Sequence, residues 1–318
     1  MIFEKLFGKK KQAGTANTAD GAVEVAGTAA KKSQGFDASS IAVTPISPEL
    51  MANATRTAPN SDEDDTDEIT ELKFTVRFSD CDEHNRLKLS RLFQFTEEAA
   101  LSDAERKGYG LWNMMKAGYG CVVTRMKLRL NHTPVLGEEL LVSTWAKENY
   151  KDKVIYKDYR VCDGRGNILV EGTSSWLLVD LKTGKAVPPS TSPFPLPIEE
   201  GREALPSKLD ILSMGLFPKV VDQVQGRNTD LDINHHVNHC RYVDWVLDAL
   251  TREEVKDRGI RSIQMNYIHQ IPLDEKVDIV RFRDSKHHAV LFGMNAEEMK
   301  KNPLKAKCHF QARVGFLR

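Results

Sequence analysis

The sequence predicts an α+β chain: two fused copies of one domain, each a long helix wrapped by an antiparallel sheet, preceded by a disordered tail. Three observations carry this. The chain has 318 residues, room for two cores at about 150 residues each. Residues 1–70 differ in composition from all that follows. From Glu71 onward the chain matches itself.

The tail comes first. Residues 1–70 hold no Trp, Tyr or His and end in the acidic run Ser61–Glu68. So little apolar surface cannot offset the entropy of ordering, and disorder is predicted. Ile2, Phe3, Leu6 and Phe7 beside Lys9, Lys10 and Lys11 would suit a weak peripheral membrane contact. A solvated tail is the plainer expectation, because so short a helix is marginal. No apolar run is long enough to span a bilayer, and the start lacks the apolar stretch of a secretory signal. The five cysteines are scattered without a CxxC pair, which reads as reduced thiols in a cytoplasmic protein.

The body is written twice. At an offset of 150, Ser79–Asp82 falls on Thr229–Asp232, Leu87 on Val237, Arg91 on Arg241, Phe95 on Trp245 and Ala99 on Ala249. At an offset of 137, Met126–Leu130 falls on Ile263–Tyr267, His132 on His269, Leu136 on Leu273 and Glu138 on Glu275. The change of offset means that the first copy carries 13 more residues between its helix and its next strand.

Each copy opens on a strand (Lys73–Phe78; Lys219–Val224) leading to a Ser/Thr-Asp-x-Asp turn. A helix follows, with apolar residues at helical spacing: Leu89, Leu92, Phe93 and Leu101 in the first copy, Val243, Val246, Leu247 and Leu250 in the second. Strands are predicted at Cys121–Leu130, Glu139–Ala146, Lys153–Val161 and Ile168–Val179, then at Ile260–Tyr267, Lys276–Phe282, Ala289–Met294 and Lys305–Gly315. Asp163–Asn167 is a hairpin signal. The proline-rich stretch within 188–210 reads as an extended linker. The domains are therefore 71–187 and 211–318.

Thr229–Trp245 is the densest run of titratable groups. It lies between a strand and a helix, where backbone N–H groups are free to hold an oxyanion. Its pattern D-x-N-x-H-V-N-x-x-x-Y-x-x-W, on Asp232, Asn234, His236, Val237, Asn238, Tyr242 and Trp245, resembles the second hotdog domain of acyl-acyl-carrier-protein thioesterases of plants and bacteria. Trp176–Asp180 with Thr183, and Arg125–Trp145 with Pro134 and Gly137, resemble that family's first domain. The resemblance runs from about Glu71 to Arg318.

It implies two fused hotdog domains, hydrolysis of fatty acyl thioesters in fatty-acid biosynthesis, acyl carrier protein as substrate carrier and no cofactor. It also implies Asp232, Asn234 and His236 as catalytic residues. The chemistry suits them. Helix-start amides and Asn234 would hold the oxyanion, and His236 would move protons with Asp232 orienting its ring. One departure stands out: where the family usually has a Glu, this chain has Gln270, and the neighbouring Cys of plant members is Ile271. An amide orients water but takes no proton at neutral pH. Gln270 is therefore expected to position water, and Asp232 or His236 to act as base.

The same residues allow other readings. His235 with His239, and His236 with Cys240, have the spacing of zinc ligands. The Glu of HExxH is missing, however, and no metal is expected; His235 and His239 read as solvent-facing. In the first copy Asp80, Asp82, His84 and Asn85 echo the site, but His84 and Arg86 stand where Asn234 and His236 do, so this copy is expected to be non-catalytic and to house the acyl chain. Phe93, Phe95, Trp112, Met114, Met115 and Tyr119 are its candidate lining, with ordinary core as the alternative for each. Tyr242 and Trp245 are expected to pack helix on sheet. Arg91 and Arg241 would hold carboxylates at the seam between the domains or be exposed.

An acyl-CoA thioesterase and a non-catalytic acyl-binding protein are the alternative functions. Whole-chain net charge is zero, which argues against a nucleic-acid-coating protein. The tail carries a net of −4 and the body a net of +4, a balance suited to an acidic carrier.

Overall fold

The computed structural model describes residues 69–206, 209, 211–256, 259–283 and 285–317. The predicted tail and its membrane-contact peptide lie outside the described residues, apart from the last two positions. Thr70 already belongs to the first strand, so the body starts one residue before the predicted boundary.

The first copy comprises β1 (Thr70–Thr75), α1 (Leu89–Arg106), α2 (Leu111–Lys116), β2 (Tyr119–Leu130), β3 (Glu139–Tyr150), β4 (Val154–Asp163), β5 (Ile168–Asp180) and β6 (Lys185–Val187). The second comprises β7 (Leu216–Gln225), α3 (His239–Asp248), α4 (Arg252–Lys256), β8 (Ile260–Tyr267), β9 (Lys276–Arg283), β10 (His288–Asn295), α5 (Ala296–Lys301) and β11 (Cys308–Phe316). The strands form one antiparallel sheet in the order β1-β3-β4-β5-β2-β8-β11-β10-β9-β7, with β6 added beside β5. Each half of this order maps onto the other element by element.

The centre of the sheet shows the duplication directly. β2 pairs with β8 through Met126 opposite Met265, Lys127 opposite Gln264 and Leu128 opposite Ile263. Adding the offset of 137 to any of these first-copy residues gives a residue of the same set. The pairing is therefore self-complementary about Lys127 and Gln264, as in a two-fold dimer interface. Along β2, Met126, Leu128 and Leu130 are buried while the residues between them are partly exposed, the period of two that places alternate side chains under the helices. One continuous core joins the halves. It includes Leu92, Phe93 and Leu128 from the first copy and Val243, Val246, Ile263 and Met265 from the second.

The predicted elements shift where local chemistry intervenes. β1 ends at Thr75 rather than Phe78, because Phe78 begins a short 3₁₀ turn and is 85% exposed. Leu101 lies on the outer face of α1, exposed rather than buried. α3 is ten residues against the 18 of α1 and stops before Leu250; Thr251 and Glu254 then form a reciprocal cap that opens α4. The extra residues of the first copy are the later turns of α1 together with α2. The hairpin signal holds: the Asp163 carboxylate accepts from the Arg165 and Asn167 amides, and Gly166 takes φ 84°.

The proline-rich segment is a strap rather than a free spacer. Phe194 and Leu196 pack against Tyr109, Met114 and Leu178, and Trp145 Nε1 donates to the Arg202 carbonyl at 3.2 Å. Beneath it the first copy buries an ionic network that has no counterpart at the matching positions of the second. Asp103 accepts from Thr70 Oγ1 at 3.0 Å, from Tyr109 at 2.9 Å and from Lys157 Nζ at 2.8 Å. Burial alone would raise the Asp103 carboxyl; Lys157 and Lys107 overcome it and hold the group ionised, below its ordinary value.

Candidate active site

Both helices are approached through the same loop. In each copy a short 3₁₀ turn ends on a buried aspartate, Asp80 or Asp230. Asp80 accepts from the Arg77 amide at 3.0 Å and from Arg91 Nε at 2.8 Å. Asp230 accepts from the Arg227 amide at 3.0 Å and from Arg241 Nε at 2.9 Å. Arg91 and Arg241 thus each clamp a carboxylate of their own copy, not one across the seam. The loop then closes identically. The Asp82 amide donates to the Arg86 carbonyl and the Asp232 amide to the His236 carbonyl, while Asn85 and His235 occupy the left-handed region at φ 63° and 61°.

The side chains on this shared backbone differ. In the first copy Asp82 accepts from the His84 amide at 2.9 Å and is paired with Arg86, whose Nη2 lies 3.0 Å away. Its charge is neutralised in place. In the second copy Asp232 accepts from the Asn234 amide at 2.8 Å, and His236 replaces the arginine with Nδ1 at 3.9 Å. That separation is too long for a hydrogen bond, so Asp232 shapes the turn instead of gripping the ring. His236 Nε2 is buried with no hydrogen-bond partner among the described residues. Burial lowers the His236 pKa, outweighing the opposite pull of Asp232, which favours the neutral ring.

Several predicted donors are already committed. The Asn234 amide serves Asp232, the Cys240 amide donates to Asn238 Oδ1 at 2.8 Å, and the Arg241 amide donates to the Asn238 carbonyl at 2.9 Å. Asn234 itself is exposed. Gln270 follows β8 beside the loop; its carbonyl accepts from His309 Nδ1 at 3.2 Å, and Val237 donates to the carbonyl of neighbouring Ile271 at 2.9 Å. The structure therefore brings Asp232, Asn234, His236 and Gln270 into one pair of adjoining loops.

The acyl-lining candidates fall in more than one packed cluster. Phe93 and Phe95 belong to the central core, with Phe95 stacked on Phe74 at 4.3 Å, whereas Met114 packs in a separate cluster with Tyr109 and Leu178. Tyr242 and Trp245 stack on each other at 5.6 Å under the sheet, as expected, with Tyr242 also against Phe310.

His239 departs from the solvent-facing expectation. Its ring sits edge-on to Tyr267 at 5.1 Å, and its Nδ1 lies 3.6 Å from Glu97 Oε1, a residue of α1 in the other copy. Cys240 Sγ is 3.6 Å from both Glu97 Oε2 and His239 Nε2. Burial, then the Glu97 charge, pushes the Cys240 thiol well up. The predicted i,i+4 pairs are not what assembles here, since His235 is exposed on its turn. Sequence reasoning missed Glu97 because it becomes a neighbour only when α1 and α3 pack. It also missed His309, whose Nε2 lies 2.7 Å from Glu275 Oε1 beneath the Gln270 loop; the recurrence of Glu138 as Glu275 was the available signal.

A helix on each half of a self-complementary sheet, with a polar site at the start of one helix, defines the tandem hotdog class. Within it the chain belongs to the acyl-ACP thioesterase family: residues 67–189 match the acyl-ACP thioesterase N-terminal domain and residues 219–312 the C-terminal domain. Among relatives, it is 25% identical over 231 residues to a chloroplastic acyl-[acyl-carrier-protein] hydrolase of Cuphea viscosissima, covering 66% of this chain and 54% of that one. It is 23% identical over 224 residues to oleoyl-acyl carrier protein thioesterase 1 of Arabidopsis thaliana, covering 65% and 61%. The chain thus spans about half to three-fifths of the length of these relatives. Among solved structures, an acyl-ACP thioesterase of Bacteroides thetaiotaomicron superposes with TM-score 0.66 at 22% identity, covering 78% of this chain and 98% of that one. The 12:0-ACP thioesterase of Umbellularia californica gives 0.65 at 20%, covering 78% and 96%.

Proposed function

We propose that this protein hydrolyses fatty acyl thioesters, with acyl carrier protein as the preferred carrier, in a cytoplasmic setting. The observation that carries the reading is the buried, unpartnered Nε2 of His236 at the start of α3, held on the same loop as Asp232 and Asn234. A polar atom kept dry without a partner costs about 1–3 kcal/mol, a cost that a bound carbonyl would offset. With no hydrogen bond fixing a proton on Nδ1, the neutral ring is free to carry it on Nε2 and donate to the oxyanion as water attacks the thioester carbon. Such a donor contributes about 2.7–4 kcal/mol to the transition state. Asp232 sets the turn that aims the ring, and Gln270 orients the water. The body's net charge of +4 favours an acidic carrier, and the five unpaired cysteines suit a reducing compartment. Among the described residues no helix is long and apolar enough to cross a membrane.

The test is release of free fatty acid from acyl carrier protein and CoA thioesters of several chain lengths, beside D232N and H236A. A loss of about 10²–10³-fold in both variants is expected, with faster turnover of the carrier-protein thioester in the parent. Equal rates on CoA would replace the carrier assignment with an acyl-CoA thioesterase. Tight acyl binding without hydrolysis would make the protein an acyl-binding module, the outcome that Gln270 in place of a carboxylate favours.

A further inference from the structure

In the site as built from the second copy Gln270 is an amide, His236 offers a donor, and the Asp232 carboxylate is engaged by the turn through the Asn234 amide. The pseudo-two-fold symmetry indicates where to look for a base. In the first copy, a cleft between the halves is lined by Asp82, Arg86, Leu89, Leu130 and Thr133 of that copy and by Leu247 of α3 in the other. Offsets of 150 and 137 carry these positions onto Asp232, His236, His239, Tyr267, Gln270 and, from the opposite helix, Glu97. The counterpart set includes His236 and Tyr267, each with a buried polar atom that has no hydrogen-bond partner among the described residues. Five of these six positions differ between the copies, and at three of them a leucine has become Glu97, His239 or Tyr267.

The substitution is not architectural, since the same fold fills these places with leucine in the other copy. It is also costly. Polar groups at a seam between packed helices lose hydration, and the groups that Glu97 meets are His239 and Cys240 rather than an arginine or a lysine. Tyr267 is 9% exposed, and its buried hydroxyl has no hydrogen-bond partner among the described residues. Two unpartnered buried polar atoms, Tyr267 Oη and His236 Nε2, therefore belong to one symmetry-defined set that also holds the Glu97 carboxylate. Cys240 Sγ donates to one oxygen of that carboxylate at 3.6 Å, and His239 Nδ1 flanks the other at 3.6 Å. Glu97 and His239 both keep some contact with solvent, which gives water a way in.

From this we infer that Glu97, on the central helix of the first domain, is the general base for thioester hydrolysis at the start of α3 in the second domain. It supplies across the seam the carboxylate that Gln270 lacks. The inference rests on the hydrolase reading. A water held between Glu97 and Gln270 attacks the thioester carbon and its proton passes to Glu97. The carbon–oxygen bond forms and the carbonyl pair moves onto the oxygen facing His236. As the intermediate collapses, the carbon–sulfur bond breaks and the departing thiolate takes the proton back from Glu97. A free fatty acid and a thiol leave, and the carboxylate is regenerated. In this scheme the first domain is not only a binding half: it contributes a catalytic residue, and neither half holds a complete site.

The experiment uses the full chain with a saturated acyl carrier protein thioester and the CoA thioester of the same chain. E97Q is compared with the parent, D232N, Q270E and the double variant E97Q/Q270E. General-base removal lowers turnover by roughly 10²–10⁴-fold, so E97Q is expected to lose at least about a hundredfold in kcat with KM changed less than about threefold. Its acid limb in the pH–rate profile should disappear. Returning a carboxylate on the other side of the water, in E97Q/Q270E, should recover at least about tenfold, a rescue that a merely structural Glu97 would not show. Unchanged melting temperature in E97Q keeps misfolding out of the comparison. E97Q at parental kcat, while D232N is impaired, would overturn this inference and leave the hydrolase reading intact. Stoichiometric zinc in the parent that vanishes in E97Q would also overturn it, making Glu97, His239 and Cys240 a metal site. A parent that hydrolyses no thioester overturns both readings.

Discussion

The two loops that lead into α1 and α3 share a backbone and differ in what they do with it. Asp80 and Asp230 make equivalent bonds, the first with Arg77 and Arg91 and the second with Arg227 and Arg241. Two residues further on the copies part: Asp82 is bound by Arg86, whereas Asp232 stands 3.9 Å from the His236 ring. The lesson is a separation within one short segment between residues that build the turn and residues that use it. An arginine–carboxylate pair is a finished interaction, while a carboxylate beside a buried imidazole with an open nitrogen is one that awaits a partner.

Substitutions can break or sharpen that contrast. The largest effect is expected at the open loop. D232N and H236A should each lower kcat/KM by about 10²–10³-fold, whereas D82N and R86A should leave turnover within about threefold; equal losses in the two copies would end the distinction. Next comes the network confined to the first copy. K157M removes the more buried of the two cations on Asp103 and should cost about 3 kcal/mol in denaturant unfolding, measured with turnover per folded molecule unchanged. The shared clamp comes third. D80N and D230N should each destabilise by about 2 kcal/mol, the scale of a charged hydrogen-bond pair; their near equality is what identifies the clamp as architecture.

The smallest effect is a dependence on pH. Burial lowers the folded-state pKa of His236 below the ordinary 6.5, so below that value the unfolded chain binds the proton and the folded chain resists it. Stability is therefore full above about pH 6.5 and falls as pH drops toward the lowered value, by at most about 1.4 kcal/mol per pH unit. Urea midpoints at about pH 7.5 and pH 5.5 should diverge in the parent and diverge less in H236Q. Arg86, charged throughout, gives the first copy no such dependence.

Repetition made the fold legible. Ser79–Asp82 on Thr229–Asp232, and Met126–Leu130 on Ile263–Tyr267, were sufficient to place both loops and the central strand pair, because a duplicated domain writes its spacing twice. Asp232, Asn234, His236 and Gln270 stand out through the resemblance to the family motif, and Asn234 and His236 also differ from His84 and Arg86 at the matching places of the first copy. Two kinds of feature were not legible. The Arg91 and Arg241 clamps looked like seam contacts, since a one-dimensional repeat does not say on which side of a helix an arginine turns. Glu97 and His239 are 142 positions apart in the chain and meet only through the packing of α1 on α3. For the acyl-lining candidates, apolar spacing identifies residues that will be buried, not whether they bury against each other or against a ligand.

The self-complementary pairing of β2 with β8 has a consequence for how such a molecule can change. Where two separate identical subunits meet in this way, any substitution arrives on both sides of the axis at once and has to suit both. With the halves joined in one chain, position 97 is a glutamate while its symmetry mate 247 is a leucine, and position 236 is a histidine while 86 is an arginine. Each half is released from being a copy of the other, so one side of the axis can keep a sealed turn while the other carries the exposed chemistry.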